Sequence, residues 1–262
     1  MAVDISNGFL NTHFVREIYQ PSIDKCRTIN IADVAIALER GTAVIDNDQQ
    51  CDQYIALYGG LHFHKLYAAF GATNFPYLNR KNVEIIDWGC GQALATCVLI
   101  EYLAKMGIMP DISAITLVEP SASAMKRGHR FIRRLLQLNH YAEIPIRAVQ
   151  SRINDLQSRD LNSCKETIKV HLLSNILDID TFHLPSFYNL LISSFRGVNR
   201  FICISPYNRK NRLDFFYEMF SETRNFFGCE EDLYKEIFFF QTGTYKKHKI
   251  SRYERQFTAN LG

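Results

Sequence analysis

The sequence predicts an α/β fold, a mostly parallel seven-stranded sheet with helices on both faces, an antiparallel C-terminal hairpin and an N-terminal helical cap. Three observations predict it. Within residues 85–106, a short apolar run ending in an acid, two glycines and a long apolar stretch follow one another, as in a buried strand, a tight turn and a buried helix. From residue 83 onwards, strand-like and helix-like segments alternate, which indicates a parallel sheet. Residues 236–259 contain two β-rich segments joined by a polar turn, which predict a hairpin.

The composition sets broad limits. The chain has 262 residues, 47% of them hydrophobic, and a net charge of +3, which suits one α/β core and does not require a nucleic-acid partner. Its seven cysteines show no framework spacing and no Cys-x-x-Cys, so we expect reduced thiols in a cytoplasmic protein and no structural zinc. The first residues do not resemble a signal peptide and no apolar run is long enough to cross a bilayer, so we expect no membrane partner.

The N-terminal third lacks strand alternation. Amphipathic helical patterns occupy residues 31–38 and 52–70, the second interrupted by Gly59-Gly60, and a loop follows at 74–81. We predict two domains, a helical cap or lid at 1–80 that packs over the strand ends and a sheet domain at 81–262.

The remaining elements follow in order. The predicted parallel strands are 83–87, 114–119, 144–150, 168–174 and 201–205, and the helices between them are 93–106, 121–139, 186–195 and 213–227. Gly107 is a helix C-cap signal and Ser121 an N-cap signal. The hairpin is predicted at 236–242 and 252–259, with its turn at 244–249.

The glycine turn after the first strand offers a helix N-terminus beside a carboxylate, a suitable place for a nucleoside. A dinucleotide fingerprint would need a third glycine where Leu94 stands, which disfavours a dehydrogenase. An acid-x-Gly-x-Gly-x-Gly pattern fits better, with Asp87, Gly89 and Gly91 in place and Ala93 in the last position. The alternative interpretation is a glycine turn of an α/β protein that binds no ligand.

One unit later, Glu119 ends the second apolar strand. A carboxylate at that position accepts hydrogen bonds from the ribose hydroxyls of a bound nucleoside. The alternative is an ordinary solvent-facing acid at a strand end.

The run Asp87-Trp88-Gly89-Cys90-Gly91 resembles motif I of class I S-adenosylmethionine-dependent methyltransferases, and the resemblance extends over about 83–260. It implies a Rossmann-like fold and S-adenosylmethionine as cofactor. The implied cofactor-binding residues are Asp87, Gly89, Cys90, Gly91, Glu119, Asp155 and Asn175. Asp155 would contact the adenine amino group, with Asn154 as the alternative, and Asp87 would orient the ammonium. Ala93 would add a methyl group along the path of the cofactor.

A second likeness leaves the activity open. Val83-Glu84-Ile85-Ile86-Asp87 and residues 172–178 are similar to bacterial GRAS-type proteins, although Glu84 replaces the histidine of their Val-His-Ile-Ile-Asp run. The first hypothesis is therefore a methyltransferase acting on a small molecule or an RNA. The second is a regulatory protein that keeps the fold, and with it a nucleoside site, without turnover.

The candidate catalytic residues are Asn175, Tyr207 and His64. The Asn/Asp-Pro-Pro-aromatic run of base-amino methyltransferases is absent at Asn175, and Tyr207 follows the fifth strand instead. The pair His62 and His64 lacks further ligands nearby, so we expect no metal; either a lid base or a core histidine fits the pattern.

Aromatic and basic residues suggest two further contacts. Tyr54, Tyr58 and Tyr67 of the cap could close over the sulfonium by cation–π contact. Basic residues cluster at 126–134, 208–212 and 246–249. Such runs are usually solvated faces, but they would favour an RNA partner if they were coplanar.

Overall fold

A computed structural model describes residues 8–73, 75–161, 163–206 and 210–262. Its strands are β1 (Asn82–Trp88), β2 (Asp111–Val118), β3 (Ile146–Val149), β4 (Ile168–Ser174), β5 (Gly197–Ser205), β6 (Thr223–Phe239) and β7 (Thr244–Leu261). In the described residues they form one seven-stranded sheet in the order β3-β2-β1-β4-β5-β7-β6. The first five are parallel, β7 runs antiparallel to β5, and β6 runs antiparallel to β7. The predicted Rossmann-like fold class is confirmed.

Helices cover both faces of this sheet. They are α1 (Gln20–Lys25), α2 (Ile31–Ala37), α3 (Asp48–Tyr54), α4 (Gly60–Ala72), α5 (Leu94–Lys105), α6 (Ala122–Leu138), α7 (Leu184–Ser194) and α8 (Lys210–Glu218). One apolar cluster joins α4, α5 and α6 to one face, and a second joins α7 and α8 to the other. None of the helices in the described ranges is long and apolar enough to span a bilayer.

The interruption predicted at Gly59-Gly60 is wrong. A π-helical turn, Ile55–Gly59, joins α3 to α4, and both glycines have helical backbone angles. A Cβ on Gly60 would lie 2.8 Å from the hydroxyl oxygen of Tyr19. These glycines therefore allow close packing inside a helix and do not end one.

The C-terminal hairpin is longer than predicted. The segment 223–227 begins β6 instead of ending a helix, and the predicted turn at 244–249 lies within β7. The turn is at 240–243, where Gly243 has φ +64°. The added parts of the two strands are polar and carry cross-strand ion pairs, such as that between Nζ of Lys249 and Oδ2 of Asp232 at 2.7 Å, so they do not stand out in the sequence as β-rich.

The N-terminal helices pack against the sheet and reach the carboxyl ends of its parallel strands. Helix α4 contacts α5, β6 and β7. The carboxylate of Glu101 in α5 accepts hydrogen bonds from the backbone N–H groups of His13 and Phe14, at 3.0 and 3.1 Å. Residues 41–45 and Tyr54 extend over the carboxyl ends of the strands.

Candidate functional site

A cleft opens at the carboxyl edge of the sheet, where ligands bind in open α/β folds. Its empty volume is about 930 Å³ including the open mouth. The ends of four parallel strands supply one side, and cap residues 41–45 with Tyr54 supply the other. The strand-end residues that line it are Gly89, Gly91, Val118, Glu119, Pro120, Ser151, Arg152, Ile153, Ser174, Asn175 and Ile176.

Three residues of the turn after β1 have left-handed backbone angles: φ is +56° at Gly89, +52° at Gly91 and +57° at Ala93. A Cβ on Gly91 would meet no atom within 4 Å, so this glycine faces open space. A Cβ on Gly89 would lie 2.4 Å from Cδ1 of Ile176, so Gly89 accommodates a neighbouring side chain.

Ala93 does not stand in the path expected for the cofactor. It is fully buried, and its methyl group faces Gly128 of α6. The expectation that this methyl group lies along the path of the cofactor is not met, because the group packs against α6 and Ala93 is not among the residues that line the cleft.

Asp87 lies beneath the turn and not on the cleft wall. Its Oδ2 accepts hydrogen bonds from the backbone N and the Oγ1 of Thr96, at 3.2 and 2.7 Å. Burial raises the pKa of Asp87 to about 7, while the bonds from Thr96 lower it. The carboxyl group therefore ties β1 to the first turn of α5, and the structure does not bring it to a ligand ammonium.

Cys90 is likewise placed in the interior. Its backbone N–H donates to the carbonyl of Val118 at 3.0 Å, which ties the turn to β2. Burial raises the pKa of its thiol well above the usual value, so the side chain is an inert part of the packing.

Glu119 is the acid that the structure does place at the cleft. Its Oε2 accepts from the Gly91 N–H and its Oε1 from the Ser121 N–H, both at 2.9 Å. Ser121 in turn caps α6 by accepting from Ala124 N at 3.0 Å. Burial raises the pKa of Glu119, and the two backbone donors lower it. The carboxylate is thereby fixed, and its remaining lone pairs can accept bonds from a ligand.

The loop after β3 differs from the expectation. Asp155 is exposed and is not among the lining residues, whereas Ser151, Arg152 and Ile153 are. The side chain of Asn154 bridges the carbonyl of Thr181 and the N–H of His183, at 3.0 and 3.1 Å. Asn154 thus fixes the loop, and the residues just before it face the cleft.

Asn175 lies at the cleft wall as predicted, in a left-handed conformation with φ +54°. Its Oδ1 accepts from Nζ of Lys65 at 2.6 Å, and its Nδ2 lies 2.8 Å from Nδ1 of His62. Nε2 of His62 lies 3.3 Å from the hydroxyl oxygen of Tyr54. This Lys65–Asn175–His62–Tyr54 cluster joins the cap to the end of β4.

Sequence reasoning missed Lys65 and singled out the wrong histidine. His64 is buried, 2.9 Å from the carbonyl of Glu236, and its ring centroid lies 4.3 Å from that of Phe9. Burial lowers its pKa to about 4, so it is a core histidine. The usable signal was Lys65, a charged residue within an otherwise apolar helical face.

The other aromatic candidates also divide into cleft and core residues. Tyr54 lines the cleft, and the ring of Tyr58 packs on the ring of Tyr54, with centroids 5.2 Å apart. Tyr67 is a core residue that stacks on Phe63. Tyr207 lies outside the described residues.

The basic cluster on α6 is largely ion-paired. Arg127 pairs with Asp52, Arg130 with Asp48, Arg133 with Glu143 and Arg134 with Glu17. Three of these carboxylates belong to the helical segment before β1, so the arginines attach that segment to α6. Asn208 and Arg209 of the second basic run lie outside the described residues. The described part of the chain contains no cluster of three metal-ligating side chains.

No protein-family model matches the chain, and no curated protein sequence matches it. The chain is similar in structure to a precorrin-6y C5,15-methyltransferase of Geobacter metallireducens, with 11% identity over 73% of this chain and 87% of the other, and a TM-score of 0.45. It is also similar to an S-adenosylmethionine-dependent O-methyltransferase of Thermotoga maritima, with 9% identity, coverage of 89% and 72%, and a TM-score of 0.45.

A tRNA (m1A58) methyltransferase of Aquifex aeolicus has 12% identity, coverage of 76% and 69%, and a TM-score of 0.41. Likenesses at this level do not assign a function, which has to come from the residues of the cleft.

Proposed function

We propose that the chain binds S-adenosylmethionine in this cleft and transfers its methyl group to a small molecule. The observation that carries the proposal is the contact between Gly91 and Glu119, which fixes an acid beside an open glycine turn at the carboxyl edge of the sheet. These are the two features that a nucleoside with a polar tail needs, an acceptor for ribose hydroxyls and unobstructed backbone.

The residues of the cleft suit the parts of this cofactor. Glu119 would hold the ribose and Gly91 would allow the methionine portion to approach. Residues 151–153 would border the base, a role for which the exposed Asp155 is less well placed. Bound S-adenosylmethionine supplies a methyl group on a positively charged sulfur that is already a good leaving group. The protein has to align the acceptor and exclude water, and we propose that the cap, residues 1–80, acts as the lid.

Isothermal titration calorimetry with S-adenosylmethionine and S-adenosylhomocysteine tests the proposal. We expect Glu119→Gln to weaken both ligands at least about tenfold, because a hydrogen bond to a charged group contributes roughly 1.5–3 kcal/mol. Glu143→Gln is the matched control, since the Glu143 side chain is 84% exposed. Failure of both ligands to bind the native chain at millimolar concentration would reject the proposal.

A regulatory, GRAS-like protein that binds the nucleoside without turnover is the second candidate. The engagement of both ring nitrogens of His62 favours it, because His62 is then not free to act as a general base. An RNA methyltransferase is less well supported, since the α6 arginines are paired. Transfer of labelled methyl groups to cell extract, separated into small-molecule, RNA and protein fractions, distinguishes the three.

A further inference from the structure

The Lys65–Asn175–His62–Tyr54 cluster is a directed chain of hydrogen bonds that ends at the cleft. Three of its members come from α3 and α4 and the fourth from the end of β4. Tyr54 and Asn175 both line the cleft. Lys65 is only 7% exposed.

The direction of the chain follows from its first donor. Burial lowers the pKa of Lys65 to about 8 and the nearby Asp178 raises it, so the amine is mostly an ammonium at pH 7.4. An ammonium group can only donate, so the atom of Asn175 that faces Lys65 is the carbonyl oxygen. The two hydrogens on Nδ2 then go to Nδ1 of His62 at 2.8 Å and to Oγ of Ser174 at 3.0 Å. Each polar atom of the amide is thereby satisfied, and a flipped amide would set two donors against each other.

The same logic extends through the imidazole. Because Nδ1 of His62 accepts, the hydrogen of the neutral ring is on Nε2, which faces the Tyr54 hydroxyl oxygen at 3.3 Å. Burial and the nearby Lys65 lower the pKa of His62 to about 3, so the ring stays neutral. The hydroxyl oxygen of Tyr54 accepts from the ring, which leaves the hydroxyl hydrogen for a partner in the cleft.

The backbone at Asn175 is held by several contacts. Its φ of +54° lies in the left-handed region, which asparagine enters more readily than most residues. It is retained at the cleft wall by three side-chain hydrogen bonds and by the bond from Asn175 N to Ile204 O at 2.8 Å. The amide is therefore fixed in position between Lys65 and His62.

We propose that this chain makes Tyr54 a fixed hydrogen-bond donor to an oxygen of the methyl acceptor, and that the acceptor reacts as a carboxylate or a phenolate. The inference rests on the proposed methyl transfer. An ionised oxygen can accept from Tyr54 with one lone pair and attack with another. A neutral amine has a single lone pair and needs it for the attack, and sulfur is a weak hydrogen-bond acceptor.

The proton balance agrees with this class of acceptor. The ionised oxygen forms the new O–C bond with its own electron pair, the C–S bond breaks with its pair left on sulfur, and no proton has to be removed. Lys65, Asn175 and His62 are positioning residues in this scheme, because they act through Tyr54.

Nitrogen-15 NMR of the full chain with labelled histidine tests the chain at pH 7.4, with and without S-adenosylhomocysteine. The His62 signals are assigned by their loss in His62→Gln. We expect Nδ1 without hydrogen and Nε2 with it, and a mixture of tautomers in Lys65→Met, while the exposed Lys105→Met leaves the signals unchanged. A hydrogen on Nδ1 of His62 in the native chain would overturn the proposal, whether or not Lys65→Met folds.

The acceptor class is tested by methyl transfer to a panel of carboxylates, phenols, amines and thiols. We expect product from the oxygen acids, and a KM for them about tenfold higher in Tyr54→Phe, with S-adenosylhomocysteine affinity unchanged. Tyr141→Phe is the control, since its buried hydroxyl makes no hydrogen bond to the described residues. Product from amines or thiols alone, or no product while S-adenosylhomocysteine still binds, would overturn the acceptor class. Absence of S-adenosylhomocysteine binding would instead reject the proposed function, and the tautomer could still be read.

Discussion

Ala93 and Gly128 lie against each other, and a Cβ added to Gly128 would be 2.9 Å from the Cβ of Ala93 and 2.8 Å from the carbonyl carbon of Gln92. Helix α6 therefore crosses the motif turn at a distance that glycine permits and a larger residue does not. Ala93, in the last position of the motif, therefore packs against α6 and is not among the residues that line the cleft.

Gly128→Ala should lower the free energy of unfolding by about 2 kcal/mol, because overpacking a tight contact costs roughly 1–3 kcal/mol. Ala93→Gly in the same chain should restore part of the loss by removing the facing methyl group. Urea denaturation of the two single variants and the double variant measures this coupling. If the change in the free energy of unfolding of the double variant equals the sum of the two single changes, the two residues do not interact.

Gly91→Ala and Gly107→Ala form a matched pair. Both glycines have positive φ, +52° and +65°, and a Cβ on either would meet no atom within 4 Å. Each variant should therefore lose about 1 kcal/mol of stability from backbone strain. Only Gly91 lines the cleft, so only Gly91→Ala should weaken S-adenosylhomocysteine binding in calorimetry. An equal loss of binding affinity in both variants would show that the glycine turn after β1 is not part of the binding site.

Asp87→Asn should change how stability depends on pH. The pKa of Asp87 is raised from 3.8 to about 7 in the fold, so the native chain keeps this proton between those values while the unfolded chain releases it. The stabilisation that Asp87 contributes is fully present below about pH 4 and is lost as the pH rises through about 7. The free energy of unfolding of Asp87→Asn should therefore rise relative to that of the native chain as the pH rises, by about 4 kcal/mol between pH 4 and pH 8. Urea denaturation at a series of pH values measures the difference.

Thr96→Val provides the companion test for Asp87. The hydroxyl of Thr96 donates to the carboxylate at 2.7 Å and lowers its pKa. Removal of this hydroxyl should raise the pKa of Asp87 further. The stabilisation from Asp87 should then be lost over a range that extends to higher pH. A pH profile identical to that of the native chain would show that the hydrogen bond does not influence the titration.

Arg127→Met should destabilise the chain by about 3 kcal/mol, because it leaves the buried carboxylate of Asp52 without its closest partner. Arg133→Met on the same helix removes a pair with an exposed carboxylate and should cost less than about 1 kcal/mol. Urea denaturation compares the two. Similar losses would mean that the buried pair does not attach the cap to α6.

The sequence specified the parallel part of the fold because its signals are local. Ile168–Ser174 was predicted to the residue and the N-cap at Ser121 is present, since apolar runs and capping residues act over a few positions. The bounds of the β6–β7 hairpin could not be predicted because its outer part is exposed and pairs charged residues across the two strands. Such a segment has little apolar pattern in the sequence.

Residues of the cleft could be predicted from the sequence where they lie at strand ends, and could not where their position depends on tertiary contacts. Glu119 and Gly91 could be located from their spacing within successive strand and helix units. The position of Lys65 beside Asn175, 110 residues apart in sequence, follows from the packing of α4 against the sheet. Asp87 and His64 matched the expected residue types, but burial decided their roles.

The attachment of α4 to the last strands has a consequence for how the chain is made. Nε2 of Gln256 donates to the carbonyl of Ala69 across 187 residues of sequence, at 2.8 Å, and His64 reaches the carbonyl of Glu236. These two contacts can therefore form only after the last strands have left the ribosome, almost two hundred residues later. Contacts of such long range form slowly during folding. Helix α4 can pack on α5 early, but the helices beside the cleft complete their packing only once β6 and β7 have been synthesised.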